Sequence, residues 1–213
     1  MTKPLALVIL ISGNGRNLQA IIDASRDNPL LEIKAVISNS PEAYGLKRAE
    51  LAHIPNFCIQ HKHYSSREEF EAALINKIDS FNADWVVLAG FMRILSTHFV
   101  NHYAHRILNI HPSLLPKYPG LNTHARVLAE GDKEHGASIH LVDAGLDSGP
   151  LLAQAVLNIE PTDNEQSLQE RVMVLETSLY PRVLSWLAED RLKVSAVGIY
   201  FDDKPLPVTG IKI

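Results

Sequence analysis

The chain predicts an α/β fold built on a mainly parallel, doubly wound sheet. Three observations point to it. The first half alternates short apolar runs with amphipathic segments in βαβαβ order. The runs at Leu5–Ile11 and 85–89 are apolar throughout, as strands buried on both faces of a sheet must be. A Gly/Asn-rich turn directly follows the first run, and sheets of this kind bind ligands beyond their strand C-termini.

Taken in order, residues 5–11 form a buried strand, and residues 17–25 a helix with Leu18, Ile21 and Ile22 on one face. A strand over 33–38, a helix near 46–52 and a short strand over 56–59 follow. Ser66-Arg67-Glu68-Glu69 has capping-box spacing, and Phe70, Leu74 and Ile78 continue it as a helical stripe. Residues 85–89 are the central strand. Ser96 caps a short helix reaching Tyr103, and residues 106–111 are the next strand. The second half is different. Residues 123–130 read as a helix closed by Gly131. Strands over 137–142 and 151–159 are joined by an Asp/Gly-rich stretch, which suits an antiparallel or mixed addition. Thr162-Asp163-Asn164-Glu165 is a second capping box, opening a long helix to about Glu189. Residues 192–200 end the chain as a strand or hairpin. No internal repeat, low-complexity tract or linker is visible.

At 213 residues and 46% hydrophobic content the chain can bury a sizeable core, most simply as one domain with room for two lobes. A formal charge of −4 argues against general nucleic-acid binding. The single cysteine, Cys58, lies between Phe57 and Ile59 and is read as a small core residue; with no partner it suits a reducing cytosol. The run at 5–11 is too short for a signal-peptide core and leads into a turn rather than a cleavage site. Nothing approaches the ~18 apolar residues that span a membrane. The expectation is a cytoplasmic protein without membrane or nucleic-acid partners.

The segment Leu108-Asn109-Ile110-His111-Pro112-Ser113-Leu114-Leu115-Pro116 carries the strongest chemical signal. Side chains alternate along a strand, so Asn109 and His111 project from the same side, and Pro112 ends the strand with both groups at its mouth. An amide donor beside a titratable imidazole suits charge developing on a carbonyl oxygen. Taken alone, the pair reads equally well as turn-forming residues.

Ser12-Gly13-Asn14-Gly15-Arg16-Asn17 lies between a strand and a helix. Its glycines let the backbone turn tightly, and the helix start offers free N–H groups to an anion. It lacks the Lys-Ser/Thr of a Walker loop and the third glycine of the dinucleotide fingerprint, and no acidic residue ends the second strand. A phosphomonoester fits better than a dinucleotide, so no nicotinamide is expected. Gly90-Phe91-Met92-Arg93-Ile94-Leu95 makes an apolar slot with one arginine, which reads equally as core packing with a solvated Arg93. In Asp143-Ala144-Gly145-Leu146-Asp147-Ser148-Gly149-Pro150 the two carboxylates can orient a histidine, bind a metal or face water. The spacing fails the EF-hand pattern, and His135 and His140 lack HExxH spacing, so no metal is expected. His61 and His63 read as a solvated loop. His98, His102 and His105 read as surface residues sharing a helix face.

Together, Ile11-Ser12-Gly13-Asn14-Gly15, Leu88-Ala89-Gly90-Phe91-Met92-Arg93-Ile94-Leu95, Asn109-Ile110-His111-Pro112-Ser113-Leu114-Leu115-Pro116 and Leu146-Asp147-Ser148-Gly149-Pro150 resemble the folate-dependent phosphoribosylglycinamide formyltransferases over nearly the whole chain. The Asn-x-His-Pro-Ser core and the downstream Asp are shared by other users of 10-formyltetrahydrofolate. The glycine loop and Lys117-Tyr118-Pro119-Gly120 select the glycinamide branch.

The resemblance implies a single formyltransferase domain over 1–213, Rossmann-like, with about seven strands. It places the nucleotide over an N-terminal half to about residue 105 and folate and catalysis over 106–213. It implies transfer of a formyl group from 10-formyltetrahydrofolate, as co-substrate, to the amine of glycinamide ribonucleotide. Asn109, His111 and Asp147 are then catalytic. Ser12, Gly13, Asn14, Gly15, Arg16, Asn17 and Glu176 hold the ribonucleotide. Arg67, Met92, Arg93, Ile94, Leu95, Asn109 and Asp143 hold the folate, with Arg67 gripping its carboxylate in two contacts. It also suggests a cis Leu115–Pro116 bond. No metal is implied, the partners are small molecules, and the chain acts as a monomer or weak homodimer. Two positions depart from the family: Arg16 stands where Ser is familiar, and Asn122 where a His is familiar in bacterial members. His124 is kept as a weaker candidate.

The competing readings are another 10-formyltetrahydrofolate enzyme or a non-catalytic folate or nucleotide module. A methionyl-tRNA formyltransferase would carry a further C-terminal domain and more positive charge. A deformylase would carry an N-terminal regulatory domain, whereas the first strand here begins at residue 5. A sensor would be favoured by a broken trio, and here the trio is complete.

Overall fold

The computed structural model describes residues 3–213. In chain order the elements are β1 (Leu5–Ile11), α1 (Arg16–Asp27), β2 (Leu31–Ser38), α2 (Tyr44–Leu51), β3 (Asn56–Cys58), α3 (Arg67–Asp79), β4 (Trp85–Leu88), α4 (Thr97–His102), β5 (Ile107–His111), α5 (Thr123–Glu130), β6 (Glu134–Leu141), β7 (Leu151–Asn158), α6 (Glu165–Ala188), β8 (Leu192–Ser195), β9 (Gly198–Phe201), β10 (Lys204–Pro205) and β11 (Ile211–Lys212). His61–His63 form a 3-10 turn.

The period of two in β1 divides the core between the two faces of the sheet. Leu7, Ile9 and Ile11 point into a layer with Leu18, Ile21 and Ile22 of α1 and Val183 and Leu184 of α6. Val8 and Leu10 point the other way, onto Phe70, Leu74 and Ile78 of α3 and Phe99 of α4. All five β1 side chains are fully buried. Each buried Leu, Ile or Val contributes roughly 1.5–3 kcal/mol, so this one strand contributes to the stability of both layers.

The main sheet has the order β11-β7-β6-β5-β4-β1-β2-β3. Strands β3, β2, β1, β4 and β5 are parallel, and β6 runs antiparallel to both β5 and β7. Strand order therefore reverses between β1 and β4, and a crevice opens there at the strand C-termini. The hydroxyl of Tyr180, fully buried on α6, donates to the carbonyls of Leu88 (3.0 Å) and Leu108 (3.1 Å), tying the helix to β4 and β5 just below that crevice.

The sheet has eight strands rather than the seven implied by the resemblance. The extra one, β11, pairs in parallel with β7 and is too short to show periodicity. A separate three-stranded sheet is formed by β10, β9 and β8. Strand β6 begins before residue 137, because Glu134, His135 and Gly136 pair with β7 despite their polar composition. Cys58 is exposed rather than in the core, since the short edge strand β3 leaves that face uncovered. His105 lies beyond the end of α4 at φ 62°, so it does not share the helix face of His98 and His102. His61 is half-buried and bonded to Asn39, not solvated. The Leu115–Pro116 bond is cis. No described helix is long and apolar enough to cross a membrane.

Candidate active site

The glycine loop emerges from β1 at the reversal point. Gly15 adopts φ 76°, and a Cβ there would fall 2.8 Å from the Gly45 Cα of α2, so both close approach and left-handed backbone require glycine. The Gly45 N–H donates to the Gly13 carbonyl at 3.1 Å. Arg48 locks the loop from the same helix. Its Nε donates to the Asn14 carbonyl and its Nη2 to Asn14 Oδ1, both at 2.9 Å, while Nη1 reaches Gln19 Oε1 at 3.2 Å. No side chain caps the start of α1 and its first turn holds no acid, so its N–H groups and the positive end of its dipole stay open to an anion. Residues 13–17 of the loop, Gly90 and α6 residues Gln166, Gln169, Glu170 and Met173 line a cleft of about 510 Å³, and Ser12 is not among its lining residues. Arg16 is exposed on its rim.

Glu176 is not among the residues lining that cleft. It lies beneath, buried, with its carboxylate accepting from Asn17 Nδ2 at 2.7 Å. Burial pushes its pKa above the ordinary carboxylate value, against the pull of the Asn17 hydrogen bond. Asn17 Oδ1 is buried without a partner.

At the far side of the crevice, β5 delivers Asn109 and His111 to one face. Asn109 Nδ2 donates to His140 Nε2 at 3.1 Å, and His140 Nδ1 faces the Leu141 carbonyl at 2.8 Å. These partners require hydrogen on Nδ1 and a lone pair on Nε2, the neutral ring. Burial also drives the His140 pKa down. His111 has an acceptor at each nitrogen: Asp147 Oδ2 lies 3.3 Å from Nδ1, and the Tyr118 carbonyl 2.9 Å from Nε2. Asp147 also accepts the Gly120 N–H at 2.8 Å and places Oδ1 3.7 Å from His140 Nε2. Asn109, His111, His140 and Asp147 thus form one cluster of amide, imidazoles and carboxylate. To reach a reacting oxygen His111 must exchange one acceptor. The longer contact, to Asp147, is on a loop containing Gly145 and Gly149.

Beyond Gly90, which turns at φ 80°, Met92, Arg93 and Ile94 are exposed and Leu95 is half-buried. Arg67 starts α3, whose cap Ser66 accepts the Glu69 N–H at 3.2 Å. A second cavity of about 220 Å³ is lined by Arg67, Arg93, His61, Tyr64 and Phe70, among others. The two arginines, adjacent only in space, make no ion pair among the described residues. Asp143 turns its carboxylate into its own loop, accepting from Gly145 N (3.0 Å) and Ser148 Oγ (2.8 Å). Asn122 sits at φ 57° before α5, a left-handed position that suits Asn. His124 Nδ1 meets His135 Nε2 at 3.1 Å, outside the hydrogen bonds that join the reacting cluster. Among the described residues no set of three His, Cys, Asp or Glu side chains is placed to hold a metal ion.

Sequence reasoning missed His140 and Arg48. His140 could have been found by pairing the two strands, since it stands directly opposite Asn109. Arg48 carries no local signal; only the packing of α2 against the loop reveals it.

The chain matches the family described as formyl transferase over residues 5–184. It is 49% identical to the phosphoribosylglycinamide formyltransferase of Escherichia coli K12 over 205 residues, 96% of this chain and 97% of that one. The Haemophilus influenzae phosphoribosylglycinamide formyltransferase is 42% identical over the same shares of each chain. A solved structure of the Coxiella burnetii phosphoribosylglycinamide formyltransferase, in complex with CHES, superposes with a TM-score of 0.95 at 52% identity, covering 99% of this chain and all of that one.

Proposed function

Because the chain belongs to the formyl transferase family, we infer that it transfers a formyl group from a folate-derived donor to the amine of 5′-phosphoribosylglycinamide, a step of purine biosynthesis. The observation that carries this reading is the full-length likeness to phosphoribosylglycinamide formyltransferases. The donor is 10-formyltetrahydrofolate. It is a reaction between small molecules without change of oxidation state, so no nicotinamide is called on. The expected setting is cytoplasmic, for a monomer or weak homodimer.

The ribonucleotide phosphate lies on the 12–17 loop, held by the N–H groups of Gly15, Arg16 and Asn17 at the open start of α1. The pteridine lies against Met92, Arg93, Ile94 and Leu95 beside the 143–147 loop, with backbone groups serving its polar edge. The folate carboxylate end reaches Arg67. Arg93, its unpaired neighbour across the second cavity, supports that placement. The chain is one domain, with the nucleotide over the N-terminal half and catalysis on the C-terminal half. The folate surface draws on both.

The acceptor amine has a reference pKa of ~8 and must lose a proton before it attacks. Attack on the formyl carbon forms the C–N bond and moves charge to the formyl oxygen, where Asn109 Nδ2 and a His111 N–H donate. Collapse then breaks the bond to folate N10, which leaves with a proton supplied by His111. Asp147 holds the His111 ring and receives the amine proton through a water molecule.

Turnover assays with glycinamide ribonucleotide, water and charged initiator tRNA as alternative acceptors test the assignment. Formyl transfer to the ribonucleotide alone is expected. Preferential transfer to water or tRNA overturns it.

A further inference from the structure

We propose that Asn39 is a positioning residue that sets the nucleotide loop and the folate segment in register with each other. The inference rests on the placement of the two substrates given above, and it concerns how the chain aligns them.

Four adjacent parallel strands, in the spatial order β3-β2-β1-β4, each end near a polar group. Beyond these ends stand His61, Asn39, Ser12 and Met92, and they form a hydrogen-bonded chain in the same order. The Met92 N–H donates to Ser12 Oγ at 2.8 Å. Ser12 Oγ–H donates to Asn39 Oδ1 at 2.6 Å. Asn39 Nδ2 lies 3.2 Å from His61 Nδ1. Below it the Ser12 N–H donates to the Gly90 carbonyl at 3.1 Å, so β1 and β4 are also joined by backbone where they leave the sheet.

Ser12 opens the loop assigned to the phosphate, and Met92 opens the segment assigned to the pteridine. The Ser12 hydroxyl therefore adds a side-chain tie between the two binding surfaces to the backbone one beneath it. That hydroxyl has one hydrogen, and Asn39 Oδ1 takes it, which leaves the oxygen lone pairs facing the Met92 N–H. Asn39 is only 6% exposed, so its amide orients the hydroxyl from within the fold and does not stand in either cleft. Without Oδ1 the Ser12 hydroxyl is free to rotate, and the two segments lose their common reference. His61 also lines the cavity holding Arg67 and Arg93, so the chain extends to the expected carboxylate end of the folate.

Bimolecular transfer depends on near-attack geometry, and a misplacement of about 1 Å costs on the order of 10²-fold in rate. Asn39→Ala is therefore expected to lower kcat by about 10- to 100-fold. Neither substrate loses its own contacts. The Kd of glycinamide ribonucleotide and that of tetrahydrofolate, each titrated alone by calorimetry, should then stay within roughly three-fold of the parent, under ~0.7 kcal/mol. Asn39→Asp keeps an acceptor for Ser12 and should recover most of kcat. Ser12→Ala should lower kcat likewise and leave the tetrahydrofolate Kd within the same limit, and the double variant should be no worse than the weaker single one. Should Asn39→Ala fail to fold, judged by its thermal transition, Ser12→Ala and Asn39→Asp decide the matter. A folded Asn39→Ala or Ser12→Ala variant with kcat within two-fold of the parent, or an Asn39→Ala variant whose loss lies wholly in the two Kd values, overturns the proposal. Gly15→Val is titrated alongside as a separate control. If it leaves ribonucleotide binding intact, the substrate placement fails; if it abolishes that binding while Asn39→Ala changes nothing, only the register proposal fails.

Discussion

His111 is the residue on which the proposed chemistry turns, and its surroundings set the terms. Both ring nitrogens face acceptors, one a carboxylate at 3.3 Å and one a carbonyl at 2.9 Å. Tyr118, which supplies the carbonyl, stands at φ 56°, and Asp132 accepts from its hydroxyl at 2.9 Å. Asp147 is itself anchored, its Oδ2 also accepting the Gly120 N–H at 2.8 Å, so the ring is held from both sides. His111→Ala is expected to lower kcat by about 10²–10³-fold, the usual effect of removing one donor to a developing oxyanion. Asp147→Asn should do the same through the ring it orients, with modest changes in KM. Because the pair acts as a unit, the double variant should fall little further. Steady-state kinetics on proteins with parental circular dichroism checks this, and near-parental turnover by either single variant removes the mechanism. The spacing of Asn109 and His111 was legible in the sequence because a strand has a fixed period. His140 was not, because its place opposite Asn109 depends on which strands pair.

Among the elements, α2 shows what local patterning cannot carry. A helix near 46–52 was visible, yet its role at the glycine loop comes from Gly45 and Arg48, which touch residues more than thirty positions away. Arg48→Ala should raise the Kd for glycinamide ribonucleotide by about ten-fold, equivalent to ~1.4 kcal/mol, and leave that for tetrahydrofolate unchanged. Arg48→Lys should restore little, since a single ammonium cannot reproduce the forked contacts. Calorimetric titration reads both, and equal weakening of the two ligands would count against the assignment. The helix caps give a second lesson. Ser66 caps α3 as its spacing suggests, but the Glu69 side chain bonds Ser65 rather than closing the box on Ser66. At α6 the true box is Asn164 with Ser167, two residues beyond the Thr162–Glu165 spacing. Thr162, Asp163 and Asn164 are all capping residue types, and which one caps is settled by the turn that Glu160 N makes onto Asp163.

At the scale of the whole molecule, the strip of antiparallel strands added to the parallel core buries ionisable groups with consequences for stability. His135 is 1% exposed on β6, hydrogen-bonded to His124 of α5. Its pKa is lowered from 6.5 to about 4, first by burial, then by His124 and His111, against the opposing pull of Asp132. The unfolded chain takes up this proton first as pH falls. Its contribution is therefore fully present above about pH 6.5 and is lost progressively down to about pH 4. Each pH unit within that window removes up to ~1.4 kcal/mol, or about 3 kcal/mol in all. Urea unfolding at about pH 7 and about pH 5 should show this loss, and His135→Gln should flatten it. An unchanged slope in that variant assigns the acid limb elsewhere.

The sequence by itself determined the α/β class, the alternation of β1 between two core layers, the glycine loop and the Asn109-His111 pair. These depend on periods of 2 and 3.6 residues and on turn chemistry, which act within a few positions. Only the tertiary structure decided that Cys58 is exposed, that Glu176 lies beneath the nucleotide cleft on Asn17, that Asp143 is spent within its own loop, and that Arg67 and Arg93 share a cavity. The eighth strand and the chain from His61 to Met92 were likewise invisible. Each is a relation between residues distant in sequence, fixed by strand order and by the burial that order imposes, and no local pattern encodes either.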